Sequence, residues 1–159
     1  MSQSGIELDS QICHKLYVAS NAMTRLYRPV LKEMGLTYPQ YIIMLALWDR
    51  ALTLEDEAAS QGLMSATELN SITQIDVGAL SLMLTKLSQK KLISVKKDKD
   101  DKRRKMIRLS AKGKNLRNKA LKVPEKMICH FSSMQMEDFL QLQSLMRKLI
   151  GDTSKALES

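Results

Sequence analysis

Apolar residues spaced three and four apart run through most of this chain, and one stretch replaces that pattern with another: two short β-prone runs flanking a cluster of charges. A helix brings residues at that spacing to one face, so the pattern dictates a mainly helical fold. Over 10–30 the positions are Ile12, Leu16, Ala19, Met23, Leu26 and Val30, a long first helix ending near Gly35. Thr37-Tyr38-Pro39-Gln40 has the form of a capping box with proline near the first helical position, and opens a second helix through Trp48. An acid-rich polar loop follows over 53–62. Ser65-Ala66-Thr67-Glu68 is a further capping box, for a short helix carrying Leu69 and Ile72. Asp76 caps another helix, whose Leu80, Met83, Leu84 and Leu87 form an inner stripe. Two short helices joined by a tight connection predict a helix-turn-helix.

The break itself is Leu92-Ile93-Ser94-Val95 and Met106-Ile107-Arg108-Leu109, which predict a two-stranded wing around the tip 96–105. Ser110 caps a helix through Leu116, Ala120 and Val123, and Pro124 perturbs it. Met136, Phe139, Leu142, Met146, Leu149 and Ile150 then give a final amphipathic helix. Six Gly and three Pro leave little scope for a sandwich of many short strands, and 159 residues suffice for one domain with a core. The expected fold is mainly α with a small β wing, a winged helix-turn-helix with long helices on either side.

Charge says where this fold works. Between Lys90 and Lys122 stand fifteen Lys or Arg against three acids, a local excess of twelve in a chain whose net charge is +8, so the remainder sums to −4. Concentrated positive charge of this kind fits a polyanion, because Lys and Arg that neutralise phosphates release counterions and supply most non-specific affinity for duplex DNA. The helix opened by Asp76 then lies in the major groove while the basic hairpin reaches the neighbouring minor groove or its phosphates. Asp101 and Arg103, two apart on an extended strand, are expected to project to one side, the carboxylate holding the Arg103 guanidinium for insertion. Lys96, Lys97, Lys102, Arg104 and Lys105 are read as phosphate contacts. On the recognition helix the outward set Val77, Ala79, Ser81, Thr85 and Lys86 has few bidentate groups, which leaves thymine methyls and DNA shape to supply discrimination.

These residues also resemble a known family. The segment 92–113, with Asp101, Arg103 and Leu109-Ser110-Ala111-Lys112-Gly113, resembles the wing of MarR-type regulators. Gln11-Ile12-Cys13-His14-Lys15-Leu16-Tyr17, Thr24-Arg25-Leu26-Tyr27-Arg28-Pro29 and Leu36-Thr37-Tyr38-Pro39-Gln40-Tyr41 are similar to the N-terminal half of its OhrR-type, organic-hydroperoxide-sensing members. The resemblance implies one domain over 1–159, with dimerisation helices at 10–35 and 111–157 around a winged helix-turn-helix at 37–110. It departs at the recognition helix, where Val77 and Ala79 flank Gly78 in place of a hydroxylic pair and Leu82 stands where the family commonly has proline.

Cys13 falls in the first turn or two of its helix if Ser10 or Asp9 is the cap, where exposed backbone N–H groups favour the thiolate that attacks peroxide. Tyr17 lies one turn on, on the same face. Tyr27 is fourteen residues away, about 21 Å along a continuous helix, so it can serve Cys13 only across a dimer. The resemblance implies that arrangement: a two-fold homodimer whose Cys13 thiol meets the hydroxyls of Tyr27 and Tyr38 from the other copy, organic hydroperoxide as the oxidising signal, and release of a pseudo-palindromic duplex operator. It also implies a C-terminal resolving cysteine in some members, for which Cys129 is the sole candidate. Cys13-His14 and Cys129-His130 do not chelate a metal ion easily, since neighbours on a helix diverge by about 100°; no metal and no cofactor are expected.

Two cysteines 116 residues apart form no disulfide framework, no apolar run is long enough to span a bilayer, and residues 1–10 are not a basic leader. The protein is therefore expected in the cytoplasm, away from membranes. A MarR-type regulator that answers a small anionic ligand, with Cys13 incidental, is the first rival. A thiol peroxidase is the second, but no second cationic group or proline-rich loop surrounds Cys13, and the basic patch is of no use to such an enzyme.

Overall fold

A 22-residue helix, α1 (Ile12–Glu33), opens the fold and ends where Gly35 takes the left-handed conformation at φ 66°. The Leu36 N–H bonds to the Leu31 carbonyl and the Gly35 N–H to that of Lys32, closing the last turn as a Schellman motif. The structure, a computed structural model, describes residues 6–53, 63–98 and 101–158. After α1 come α2 (Tyr38–Thr53), β1 (Met64–Ser65), α3 (Ala66–Thr73), α4 (Val77–Gln89), β2 (Ile93–Lys97), β3 (Lys105–Leu109), α5 (Ala111–Ala120), α6 (Val123–Ile128) and α7 (Met136–Glu158). Mostly helical with a small antiparallel sheet, this is the winged helix-turn-helix that the spacing predicts. From residue 54 onward the acidic loop lies outside the described residues, as do Lys99 and Asp100 at the wing tip.

The chain divides into two compact units, 1–123 and 124–159. Within the first, α2 is the hub: it packs against α1, α3, α4, α5 and β3. The core holds Leu31, Ile43, Met44, Leu47, Leu69, Leu87 and Ile107, each essentially inaccessible to solvent. Trp48 donates its indole N–H to the Gly113 carbonyl at 2.9 Å, pinning the start of α5 to α2. Gly113 has to be glycine, because a Cβ there would stand 2.0 Å from the Leu92 carbonyl oxygen. In the second unit α7 has no buried residue, and its Met136, Leu140, Leu142, Leu145 and Ile150 are exposed.

The caps read at Ser65, Asp76 and Ser110 sit where capping chemistry requires them, while at Thr37 the half of the box that is seen is the Thr37 N–H bonding to the Gln40 side-chain oxygen at 3.3 Å. Asp76 accepts the Ala79 N–H at 3.0 Å, and Ser110 the Gly113 N–H at 3.0 Å. Ser65 and Glu68 form a complete capping box, the Glu68 N–H bonding to the Ser65 hydroxyl at 3.1 Å and the Ser65 N–H to the Glu68 carboxylate at 2.8 Å. The Ser65 side chain and then its backbone N–H, backed by Arg50 and Arg104, hold that carboxyl below its ordinary 4.5. At α1 the expectation needs correcting. The Ser10 hydroxyl donates to the Glu7 carbonyl and Asp9 pairs with Lys15, so neither caps the helix; Gln11 is the N-cap and Cys13 the second helical residue.

The sheet has three strands rather than two. β1 adds to the wing in the order β1-β3-β2, pairing Met64 with Ile107 and Ser65 with Met106. The wing hairpin is in register from Ile93 opposite Leu109 to Lys97 opposite Lys105. Of the two large apolar residues on α3, Leu69 is buried and Ile72 is 61% exposed.

Gly113→Ala is expected to lower the unfolding free energy by about 2 kcal/mol or more, measured by urea titration. Glu68→Ala is expected to cost about 1 kcal/mol at pH 7. A carboxyl held low stabilises the fold above its unfolded value and loses that contribution as pH falls through its folded value. The deficit of the Glu68→Ala protein should therefore narrow below pH 4.5, as urea titrations on the two sides of that value would show.

Candidate nucleic-acid interface and thiol site

The turn between α3 and α4 is built without glycine. Gln74 takes the left-handed conformation at φ 52°, its N–H bonding to the Asn70 carbonyl at 2.8 Å, and the Asn70 amide donates to the Ile75 carbonyl at 2.5 Å. This sets the start of α4 with Leu80, Leu84 and Leu87 buried and Val77, Ser81, Thr85 and Lys86 exposed. Ala79 is half-buried, since its backbone lies under the Asp76 cap. Asn70 and Gln74 escaped sequence reading, although an amide side chain six residues before a capping Asp is a usable turn signal.

Opposite α4 stands the wing. A cleft of about 500 Å³ is walled by Ala66, Thr67 and Asn70 of α3, by Val77, Leu80, Ser81 and Leu84 of α4, and by Arg103, Arg104 and Lys105. The structure thus brings Val77 and Ser81 together with the wing cations. Lys96, Lys97, Lys102, Arg103, Arg104 and Lys105 are all exposed. The expected partnership of Asp101 with the Arg103 guanidinium is corrected. β3 begins only at Lys105, so Asp101 to Arg104 form a turn in which the Arg104 N–H bonds to the Asp101 carbonyl at 2.9 Å. The Asp101 carboxylate accepts the Arg103 backbone N–H, also at 2.9 Å, and so shapes the tip rather than holding the guanidinium. Asp98 assists by accepting the Asp101 N–H at 3.2 Å.

The second group of candidates sits on α1 and α2. Cys13 and Cys129 are both free and exposed thiols, and Tyr17 is 70% exposed. Tyr27 and Tyr38 meet edge to face with ring centroids 5.1 Å apart. Tyr41, not singled out from the sequence although it lies one turn beyond Tyr38, stacks 6.1 Å from Tyr27 and 6.4 Å from Trp48. Burial, and then the neighbouring Tyr38, raise the Tyr27 phenol above its ordinary 10. Burial followed by Tyr27 and Tyr38 pushes Tyr41 up to about 12. These two phenols therefore remain neutral hydrogen-bond donors at physiological pH. Because α1 is unbroken from Ile12 to Glu33, Cys13 and Tyr27 of one chain stand about 21 Å apart along its axis.

Between these two sets runs a bond network that the sequence did not disclose. Lys90, the C-cap of α4, donates its ammonium to the Gly35 carbonyl at 2.6 Å and to the Gln40 side-chain oxygen at 2.8 Å. The same oxygen accepts the Thr37 N–H at 3.3 Å, and Gln40 is 3% exposed. Tyr38 lies between Thr37 and Gln40, so the turn that carries it is tied directly to the end of α4.

With this geometry in place, comparison with known proteins is specific. A family model described as transcriptional regulator SarA/Rot matches residues 25–120. The organic hydroperoxide resistance transcriptional regulator of Bacillus subtilis is 31% identical over 145 residues, covering 91% of this chain and 90% of its own. The regulator MgrA of Staphylococcus aureus is 29% identical, over 90% of both chains. Among solved structures, reduced AbfR bound to DNA superposes with a TM-score of 0.74 at 24% identity, over all of both chains. Wild-type apo MarR of Escherichia coli gives 0.68 at 18% identity, over 87% of this chain and 96% of its own. The chain belongs to the MarR family of winged-helix transcriptional regulators, and is a regulator rather than an enzyme.

Proposed function

We propose that this protein is a homodimeric repressor that holds a pseudo-palindromic duplex operator while Cys13 is reduced and releases it when organic hydroperoxide oxidises that thiol. The observation that carries the reading is the layout of α1: an exposed thiol at its second residue, and toward its far end Tyr27, packed on Tyr38 of α2, which the same chain's thiol cannot reach. A two-fold partner running antiparallel brings its Tyr27 and Tyr38 to Cys13. The hydroperoxide-resistance regulator of Bacillus subtilis supplies the chemical class of the signal. The exposed apolar residues of α1, Ile12 and Val18 among them, and separately those of α7, Leu140 and Leu145 among them, offer each helix a face for pairing with a second copy.

In the oxidation, the Cys13 thiolate attacks one peroxide oxygen, the O–O bond breaks, and the departing alkoxide takes a proton to leave as alcohol; the sulfur becomes a sulfenic acid. Neutral phenols donate to the thiolate and lose that acceptor when its charge is gone. A shift of Tyr38 then pulls on Thr37 and Gln40, and through Lys90 on the end of α4. Where Cys129 of the other copy attacks the sulfenic acid, a disulfide forms and water leaves. On DNA, α4 enters the major groove with Val77, Ala79, Ser81, Thr85 and Lys86. Arg103 enters the minor groove from a tip shaped by Asp101, and Lys96, Lys97, Lys102, Arg104 and Lys105 lie on phosphates. Rotating one α4 against the other spoils the half-site spacing and releases the operator.

A DNA-shift titration tests this. Reduced protein should retain operator and release it on addition of organic hydroperoxide, and Cys13→Ser should bind and no longer respond. Cys129→Ser should respond but lose reversal by dithiol if that cysteine resolves the sulfenic acid. A Cys13→Ser protein that still responds would contradict thiol sensing and favour a ligand-responsive regulator.

A further inference from the structure

The outward face of α4 is unusual for a helix that meets base edges. At 100° per residue, Leu82 stands 200° from Leu80 and so points away from the buried stripe of Leu80, Leu84 and Leu87. It is 57% exposed, and Val77, on the flank that faces the wing arginines, is 69% exposed. Between them lies Gly78, which offers no side chain; a Cβ there would come to 3.2 Å from the Asp76 carboxylate. Two of the polar groups nearby are engaged within the helix, while Ser81 stands exposed beside them. Asp76 accepts the Ala79 N–H, and the Thr85 hydroxyl donates to the Ser81 carbonyl at 3.0 Å. The first two turns of α4, 77–84, carry no amide, guanidinium or ammonium side chain; Lys86 and Gln89 come only in the last turn.

Every major-groove edge but one presents donors and acceptors alone; the exception is the 5-methyl group of thymine. An exposed leucine and valine gain by covering a methyl, and lose by covering a guanine acceptor or cytosine donor that is left unpaired. We propose that Leu82 and Val77 are specificity-determining residues that read thymine 5-methyl groups in each operator half-site, the backbone at Gly78 allowing the close approach. This rests on α4 being the element that enters the major groove.

Duplexes enriched from a randomised pool by the reduced full-length protein are resynthesised with deoxyuridine replacing thymidine, one position at a time. Uracil pairs as thymine does and lacks only the methyl. Wild-type protein should lose about fourfold in affinity for each contacted methyl removed. Leu82→Ala and Val77→Ala, at exposed positions that leave the urea midpoint in place, should bind the thymidine duplex more weakly and each become indifferent to uracil at one half-site position. Equal binding of thymidine and deoxyuridine duplexes by wild-type protein overturns the inference while leaving the repressor reading intact; so does uracil sensitivity that survives in both variants. A reduced protein that enriches no duplex overturns both.

Discussion

An unbroken α1 is the constraint on which the functional architecture depends. Its 22 residues contain a proline, Pro29, yet the helix continues to Glu33, and a continuous helix keeps residues fourteen apart about 21 Å distant. The exposed thiol therefore stands at one end of the rod and Tyr27, with Tyr38 of α2 against it, well along toward the other. On the proposed reading, chemistry that joins them needs a second rod alongside, and dimerisation is then part of the site itself rather than a separate property of the fold.

The other end of α1 is where the rod meets the reading head. Gly35 turns the chain, Gln40 receives both the Thr37 N–H and the Lys90 ammonium, and Lys90 terminates α4. Gln40 is buried, and a buried amide oxygen with two donors is a stiff connection, because each bond lost leaves a group without its partner. The wing is fixed independently. Trp48 and Gly113 fasten α5 to α2, Ser110 bonds back to the Leu92 carbonyl at 3.0 Å, and β1 clamps β3 from the side opposite β2. On the proposed reading, a movement at the α1–α2 corner reaches α4 through Lys90, while the sheet holds the basic tip in place.

Much of this was legible in the sequence, and the parts that were not share a physical reason. The caps at Ser65, Asp76 and Ser110 were readable because a cap is decided by residues three apart, and the apolar stripes because periodicity is local. β1 was not, since two residues carry no periodicity and Ser65 already had a role as a cap. The left-handed residues Gln74 and Lys91, at φ 52° and 59°, left no trace, because glycine or asparagine is the usual sign of that conformation. Asp101 was placed correctly but given the wrong partner: the strand expected at 101–103 is a turn, and a turn directs the carboxylate to a backbone N–H. The Gln40–Lys90 bond spans fifty residues of sequence, and nothing in either residue announces the other.

Mixed dimers test the central claim most directly. When a Cys13→Ser protomer is paired with a Tyr27→Phe protomer, the thiol of the second faces the intact tyrosine of the first. The rate of sulfenic acid formation by organic hydroperoxide, followed by dimedone labelling, should then equal that of a wild-type site. A mixed dimer that oxidises as slowly as the Tyr27→Phe homodimer, or a protein that sediments as a monomer, would contradict a thiol served by the tyrosines of its partner.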